Sequence, residues 1–478
     1  MYRLPADCLN EIFKYLEDDK ITLNSCILIN RLWCQISIRI LWRNVNDYST
    51  SNFSTLIACL PSESKNILNK QKIIISTPTL EFPTFNYATF CKILSVNQVH
   101  EKIMELFKNQ HSLSRYKIKK NTRIVVQEIF KMLMNQTSLK SLDYVQMSNV
   151  NYNVYPNSKD YFKNLSELIC SSNLSPEFFC HLSQICHNIQ SLTIKPKSSI
   201  SNGLTDLISV QRNLKYFELY YYLEHLDYNE KKLIPLLIKN LPDSLPKLKL
   251  HMFNYISLSL IARFSNLQEL ELSSNYDEDV FQKFEYLQYV IFPQLRSFKI
   301  RYGFPRYEHL IKFLENNGKN LKELNLFDIS CESDDSLNLA IAKYCSNLKK
   351  LSTGFKYNEL ETLKIVFNSC QYLESISIWC GSEYFDEKEA LEAVLKYSQN
   401  IVELILYFQF DIQSKLLSKE LETFLINWKN RIPQKSLSLV IVSDDGCRSL
   451  DKCNKNMKII EKYIELGVIK KFSKLRYL

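Results

Sequence analysis

The segment NLKELNL at residues 320–326 decides the fold, because its pattern returns along the chain. Close copies are NLKYFEL at 213–219, NLQELEL at 266–272, QLRSFKI at 294–300, NLKKLST at 347–353, YLESISI at 372–378 and NIVELIL at 400–406. Weaker copies are SLKSLDY at 138–144, NLSELIC at 164–170, NIQSLTI at 188–194 and SLPKLKL at 244–250. The first apolar residue recurs after 24 to 28 residues in most copies, with extremes of 31 from Leu214 to Leu245 and 22 from Leu245 to Leu267. The chain is therefore an array of similar units.

Each unit predicts a short strand followed by a helix. The last two apolar residues of the phrase are two positions apart, so they point to the same side of a strand. Between phrases the spacing becomes helical, as at Leu391, Val394 and Leu395. Asp386 followed by Glu389 is typical of a helix start. Phrase and period resemble leucine-rich repeats, which implies an α/β solenoid, a curved horseshoe with parallel strands on its concave face and helices on its convex face.

Composition narrows the class of protein. The 478 residues exceed one compact core, and no stretch approaches the roughly 18 apolar residues of a membrane span. The net charge of +9 includes basic clusters at 115–123 and 470–476. Because no recognised nucleic-acid motif accompanies them, we interpret these clusters as solvated and expect neither a nucleic-acid nor a membrane partner. The 14 cysteines without a C-x-x-C, and no export signal, predict reduced thiols in the cytoplasm or nucleus.

Residues 1–46 lack the repeat and predict three short helices. In the first, Leu9, Ile12, Phe13 and Leu16 fall on one face. A second helix is expected over 22–29 and a third over 31–41. Three helices in about 45 residues make a very small core, which docking on a partner commonly stabilises.

These N-terminal residues resemble an F-box. The resemblance is carried by Leu4-Pro5-x-Asp7-x-Leu9-x-x-Ile12-Phe13-x-x-Leu16, then Leu23, Cys26, Ile29-Asn30-Arg31-x-Trp33 and Leu41-Trp42. The whole chain resembles a fungal-type F-box protein with C-terminal leucine-rich repeats. Cys8 and Asn30 depart from the family pattern, which usually has a larger aliphatic residue and a cysteine there.

The resemblance implies a substrate receptor of an SCF-type cullin–RING ubiquitin ligase, in which the F-box binds the Skp adaptor and the repeats hold a protein substrate. By position, the adaptor-facing residues would be Leu4, Pro5, Leu9, Ile12, Phe13, Leu16, Ile29 and Trp33. The alternative is that residues 1–46 merely cap the solenoid. The protein would then be a leucine-rich-repeat interaction scaffold with no ubiquitin role.

The remaining chain divides into three segments. Residues 47–135 are either a helical bridge or degenerate first repeats, with helices expected over 51–60, 99–107 and 125–134 and a strand over 72–76. Residues 136–442 hold the repeats, and residues 443–478 form a C-terminal cap with a helix over 456–466.

Substrate recognition is expected on the strand-lined face. Reading the positions that point outward there selects Tyr220, Arg301, Phe327, Trp379 and Tyr407. Exposed aromatic residues and arginine are typical binding anchors. The alternative is that these rings pack on one another or on the C-terminal cap.

Enzyme chemistry finds little support in the residues. The chain has seven glycines and no phosphate-binding loop, and the group Cys180-His181, Cys186-His187 matches no zinc spacing. We expect no catalytic residue, no metal and no cofactor, so that any ligase activity would belong to a complex. Cys186, Cys345 and Cys370 each precede a repeat phrase by three residues, which predicts a structural slot for a small apolar side chain.

Overall fold

A computed structural model describes residues 4–78, 82–109, 113–136, 138–145, 159–195, 197, 199–220, 228–251, 256–274, 278–327, 335–408, 413–444 and 446–476. The chain divides into two compact units, Met1–Pro242 and Asp243–Leu478. In the described residues no helix is both long enough and apolar enough to cross a bilayer.

The first unit begins with helices and continues with strand–helix repeats. Its helices are α1 (Ala6–Lys14), α2 (Lys20–Ile27), α3 (Arg31–Leu41), α4 (Thr50–Ala58), α5 (Ser62–Lys70), α6 (Val96–Lys108), α7 (Arg115–Gln136), α8 (Lys159–Phe162), α9 (Pro176–Ile185), α10 (Gly203–Ser209) and α11 (Tyr228–Lys239). Its strands are β1 (Ile93–Ser95), β2 (Ser141–Tyr144), β3 (Glu167–Ser171), β4 (Ser191–Lys195) and β5 (Tyr216–Leu219). Consecutive strands pair in parallel from β1 to β5.

The second unit repeats the same plan. Its strands are β6 (Lys247–His251), β7 (Glu269–Ser273), β8 (Ser297–Arg301), β9 (Glu323–Phe327), β10 (Lys350–Ser352), β11 (Ser375–Cys380), β12 (Glu403–Phe408), β13 (Leu437–Val442) and β14 (Ile469–Leu475), each parallel to the next. Its helices are α12 (Tyr307–Asn317), α13 (Asp335–Tyr344), α14 (Leu360–Ser369), α15 (Glu387–Tyr397), α16 (Ser418–Lys429) and α17 (Asn454–Glu465). Between β6 and β8 the connections contain 3₁₀ turns, Leu258–Arg263 and Glu278–Tyr286, in place of α-helices.

The register of the strand pairing places equivalent positions of successive repeat phrases side by side. Leu324 of β9 lies beside Phe298 of β8 and Leu351 of β10, and all three side chains are buried. Because the same phrase position meets its copies across each strand pair, each unit stacks its apolar side chains into a continuous core. The predicted α/β repeat fold is confirmed. The Asp386–Glu389 pair also forms the expected capping box at the start of α15.

Asparagine side chains at equivalent positions of the repeats bond to the preceding unit. The side-chain amide of Asn400 donates to the Gln371 carbonyl at 2.7 Å, and Asn347 donates to the Lys319 carbonyl at 2.9 Å. Such bonds satisfy carbonyl groups that the turn leaves without a backbone partner. The asparagine in front of the phrase is therefore a structural residue.

The predicted cysteine slot is also present. Cys186 and Cys370 are buried, and their thiols donate to the carbonyl groups of Phe162 and Cys345, at 3.1 and 3.4 Å. In the slot before Cys345 stands Gly318, where an added Cβ would lie 2.8 Å from the Cys345 Sγ atom. Close packing between successive slots therefore requires glycine at this position.

Residues 47–135, predicted as either a helical bridge or degenerate first repeats, contain helices and one strand of the repeat sheet. Residues 50–70 form α4 and α5, whereas β1 pairs in parallel with β2 and thereby extends the repeat sheet toward the N-terminus. The predicted strand over 72–76 is wrong, since these residues carry no ladder pairing. At the other end the expected helix is α17, and β14 adds a further parallel strand that the sequence pattern did not reveal.

Candidate protein-interaction site

The three N-terminal helices share a small core of their own. Its buried residues are Leu9, Phe13, Leu23, Cys26, Ile36 and Ile40. The Phe13 ring packs edge-on against the Trp33 ring, with 5.0 Å between the centroids. Helix α3 packs against both α1 and α2. Burial of these side chains is the main term that holds the segment together.

Two capping side chains set the helix starts in this segment. The Asp19 carboxylate accepts hydrogen bonds from the Thr22 hydroxyl at 2.6 Å and the Thr22 backbone amide at 3.0 Å. These bonds hold the pKa of Asp19 below its ordinary value. The Asn30 side chain accepts from the Trp33 amide at 3.0 Å. Because both helices begin at fixed residues, their outer faces are fixed as well.

The same segment leaves large apolar side chains in solvent. They are Leu4, Ile12, Tyr15, Ile21, Leu28 and Ile29. Tyr15 is 92% exposed and Leu28 is 86% exposed. Among the described residues 24 large hydrophobic side chains are exposed, and six of these lie within residues 4–29. Such a concentration of apolar surface is typical of an interaction site.

The structure divides the residues predicted to face an adaptor. Leu4, Pro5, Ile12 and Ile29 are exposed, and Leu16 and Trp33 are partly buried. Leu9 and Phe13 belong to the internal core, at 5% and 2% exposure, so their side chains are not presented at the surface. The sequence did not select Tyr15, Ile21 and Leu28. Helical spacing was a usable signal for two of them, because Ile21 in α2 and Leu28 at its C-cap lie seven residues, about two turns, apart.

On the second unit, the outward face of β6 to β9 carries a ladder of ion pairs. The Glu271 carboxylate contacts Lys249 Nζ at 3.3 Å and Arg301 Nε at 2.8 Å, from the strands on its two sides. Glu323 contacts Lys299 Nζ at 2.8 Å and accepts a hydrogen bond from the Ser297 hydroxyl at 2.7 Å. Arg301 is therefore oriented by Glu271 and remains one-third exposed.

The environment of Glu323 shows which charge state the ladder favours. Burial raises the pKa of Glu323, but the Lys299 ammonium group and the Ser297 hydroxyl outweigh that effect and hold the pKa below its ordinary value. One step further along the strands, the His251 Nδ1 atom lies 2.6 Å from the Ser273 hydroxyl oxygen. This part of the face is polar and already internally paired.

The expected exposed aromatic row is not present at β11 and β12. Trp379 is 1% exposed, because the Tyr407 ring stacks on it with 4.9 Å between centroids. The buried Tyr384 ring also lies beside the Trp379 ring, with 6.4 Å between the centroids. The chain folds back after β11 through Gly381, whose φ of +91° favours glycine. The alternative that these rings pack on one another is therefore what the structure shows for Trp379.

The other residues predicted for substrate binding are dispersed. Tyr220 lies after β5 in the first unit and is partly buried. The backbone of Phe327 pairs in register with Arg301, while its side chain lies outside the described residues. Arg301 and Tyr407 keep partly exposed side chains on different parts of the second unit's strand face.

Cys180 and Cys186, which each precede a histidine, lie in different environments. Cys186 is buried in its slot and its pKa is raised by burial to about 12, whereas Cys180 is exposed. Burial raises the pKa of Cys370 in the same way, to about 12. Such thiols stay protonated and act as apolar packing groups. Across the described residues, no three His, Cys, Asp or Glu side chains are placed to hold a metal ion together.

Comparison with known proteins gives structural likeness at low similarity. No protein-family model and no curated protein matches the sequence. A chain of the yeast Rad7–Elc1 complex is 14% identical, with 80% of this chain and 92% of that chain covered and a TM-score of 0.37. The leucine-rich repeat-containing protein LegL7 of Legionella pneumophila is 14% identical, with coverages of 62% and 92% and a TM-score of 0.34. A leucine-rich-repeat protein of Leptospira interrogans is 15% identical, with coverages of 73% and 91% and a TM-score of 0.28. Scores at this level carry no inference about function.

Proposed function

We propose that this protein is the substrate-recognition subunit of an SCF-type cullin–RING ubiquitin ligase. In this proposal the three N-terminal helices bind the Skp adaptor, and the repeats bind a protein substrate. The observation that supports it best is the group of six exposed apolar side chains on α1, α2 and their flanks, on a segment that already has its own core.

The energetic argument starts from the cost of that exposure. Complete burial of a Leu, Ile or Phe side chain is worth about 1.5–3 kcal/mol relative to solvent exposure. The three-helix core itself contains six buried residues, so the exposed set is as numerous as the core. A partner that covers Ile12, Leu28 and their neighbours would gain much of this free energy.

The caps explain why the surface is suited to docking. Asp19 and Asn30 fix the starts of α2 and α3 before any partner arrives. Binding then requires little ordering of the backbone, which would otherwise reduce the affinity. The polar ladder around Arg301 offers the repeats a second, different surface for a substrate. The proposal includes no chemistry by this chain, since ubiquitin transfer would be performed by other subunits.

The test is binding of the full chain to purified Skp adaptor, measured by co-purification and calorimetry. Leu4→Ala with Pro5→Ala and Ile12→Asp should abolish binding, because the triple variant removes two apolar contacts and introduces a charge at the third. The matched control is Ile365→Asp on α14, since Ile365 is 44% exposed and Ile12 is 49% exposed. The control should bind as wild type does.

Two outcomes decide against the proposal. If the wild-type chain does not bind the adaptor where other F-box proteins do, the protein is a repeat scaffold without a ubiquitin role. If Ile365→Asp weakens binding as much as the triple variant, the N-terminal surface is not the docking site.

A comparison of bound partners in cells separates the two proposed surfaces. The N-terminal triple variant should lose the adaptor and keep the substrate. Arg301→Glu should lose the substrate and keep the adaptor, because it places a second carboxylate beside Glu271 on the strand face. Joint loss of both partners in either variant would show that the surfaces are not independent.

A further inference from the structure

Helix α7 begins with a strongly basic stretch that contributes no buried side chain to the core of the described residues. Its buried residues start at Thr122 and continue to Met134. In the preceding residues 115–121 none is buried, and only Ile118 and Asn121 are partly covered. About two helical turns, roughly 10 Å long, therefore extend beyond the part of α7 that contributes to the core.

Five exposed cations lie in and just after this overhang. Arg115, Lys117, Lys119, Lys120 and Arg123 are all exposed, and residues 113–127 contain no acidic residue. None of the five forms an ion pair with any residue in the part of the chain that the structure describes; in α7 the only such pair joins Lys131 to Glu128, further along the helix. The positive potential of the stretch is therefore not neutralised by those residues.

The local sequence opposes the helix that it forms. Arg115 and Lys119, and then Lys119 and Arg123, are four residues apart, a spacing at which like charges repel. Cations in the first turn also face the positive end of the helix dipole. A stretch that breaks these rules without any packing gain is typical of a functional surface. An anionic partner would reverse both penalties.

The angular distribution of the cations indicates which anionic partner fits. At about 100° per residue, the five cations span an arc of about 200° around the helix axis. Tyr116, which is 77% exposed, lies near the middle of that arc. A flat membrane would reach only one side of such a helix. The major groove of duplex DNA admits an α-helix and places phosphates on both of its sides.

We propose that the N-terminal half of α7 is a docking surface for duplex DNA, with Arg115, Lys117, Lys119, Lys120 and Arg123 on the phosphates and Tyr116 toward the groove floor. Contacts to phosphates do not depend on base sequence. Double-stranded RNA should bind more weakly, because its major groove is too narrow for side chains to read. The sequence alone favoured a solvated interpretation of this cluster. The overhang and the arc are what the structure adds.

The second basic cluster lacks these features and provides the control. Lys474 of this cluster contacts the Asp451 carboxylate at 3.2 Å. Lys470 and Lys471 lie at the start of the edge strand β14, where lysines discourage strand pairing. The C-terminal cations therefore have structural explanations that α7 does not share.

The experiment titrates the full chain with a 20-base-pair DNA duplex of arbitrary sequence, followed by fluorescence anisotropy. Wild type should bind at low salt, with a log–log slope against salt of about −4 to −5 for five phosphate contacts. The variant Lys117→Glu, Lys120→Glu, Arg123→Glu should bind at least tenfold more weakly, and its slope should be smaller by about 3. Circular dichroism should show that it stays folded.

The control variant Lys455→Glu, Lys458→Glu, Lys470→Glu changes the net charge equally and should bind within about twofold of wild type. Equal loss in both variants would show attraction by net charge only and would overturn the proposal. So would no binding at 50 mM salt. Polyglutamate provides the last arm: if it binds as tightly as the duplex and loses binding in the α7 variant, the surface takes an acidic polypeptide instead.

Discussion

The N-terminal helices and the aromatic cluster of the second unit, Trp379, Tyr384 and Tyr407, were both predicted or considered as binding surfaces. Their side chains differ in exposure. On α1 and α2 the apolar side chains of Ile12 and Leu28 are in solvent. On β11 and β12, Trp379 and Tyr407 stack on each other and Trp379 is buried. Apolar side chains thus stay exposed in one region and pack internally in the other.

The difference follows from what lies next to each side chain. A residue on a strand has a neighbouring strand less than 5 Å away, so a ring from the next repeat can cover it. The returning chain at Gly381 then brings Tyr384 to the same cluster. The outer side of a surface helix has no such neighbour in its own segment. In the part of the chain that the structure describes, Ile12 and Leu28 therefore stay exposed.

The largest expected effect is that of Trp379→Ala. Loss of this buried ring should lower the free energy of unfolding of the second unit by about 3–5 kcal/mol. Trp379→Phe should retain most of that stability. Denaturant unfolding followed by hydrogen exchange on β11 and β12 measures both. A Trp379→Ala variant that is as stable as wild type but does not bind substrate would restore the docking interpretation of this cluster.

Phe13→Ala should lower stability by about 3 kcal/mol, and it should act locally because the three-helix core is small. Hydrogen exchange should show lost protection over residues 6–41 with the repeats unchanged. Tyr15→Ala, two residues further along the chain and 92% exposed, should change stability by less than about 0.5 kcal/mol. If both variants behave alike, the division of α1 into an inner and an outer face is wrong.

Gly318→Ala tests how closely successive repeats pack on each other, in contrast to the exposed side chains of the N-terminal segment. The added Cβ would lie 2.8 Å from Cys345 Sγ and 2.9 Å from the Tyr344 carbonyl oxygen, so we expect a loss of about 1–3 kcal/mol. Cys345→Ala in the same chain should recover part of it, as a double-mutant cycle would show. Additive losses would locate the strain at the Tyr344 carbonyl alone.

The smallest effects concern pH and have opposite signs in the two regions. Burial raises the pKa of Glu387, which begins α15 three residues after Tyr384. The folded state therefore holds its proton more tightly, and this contribution to stability is present at low pH and lost as pH rises through the folded pKa. Glu387→Gln should thus stabilise the second unit at pH 7, and the gain should vanish near pH 4.

Asp19 should show the reverse. Its pKa is lowered by the Thr22 hydroxyl and amide, so its stabilising effect is present above the unfolded pKa and is lost as pH falls through the folded pKa. Asp19→Asn should weaken protection of α2 at pH 7, with no difference at the lowest pH. Hydrogen exchange across the pH range measures both carboxyl groups in one experiment. A shared sign would contradict the proposed environments.

The repeat fold was accessible from the sequence because its signals are local and repeated. The phrase around Leu324, the helix start at Asp386 and the cysteine slot at Cys370 each depend on residues a few positions apart. Stacking then multiplies one local pattern into a sheet. The same argument explains why β14 was missed, since its segment IKKFSKL carries no copy of the phrase.

What only the tertiary structure decided is which apolar residues remain outside. Leu9 and Ile12 lie on one predicted face of α1, and the position of α3 assigns Leu9 to the core and Ile12 to solvent. Trp379 occupies an outward strand position, and a loop with positive φ at Gly381 and Ser382 helps to bury it. Helical or strand periodicity indicates only the direction in which a side chain points. Its burial depends on what another part of the chain places there, and that information is not local.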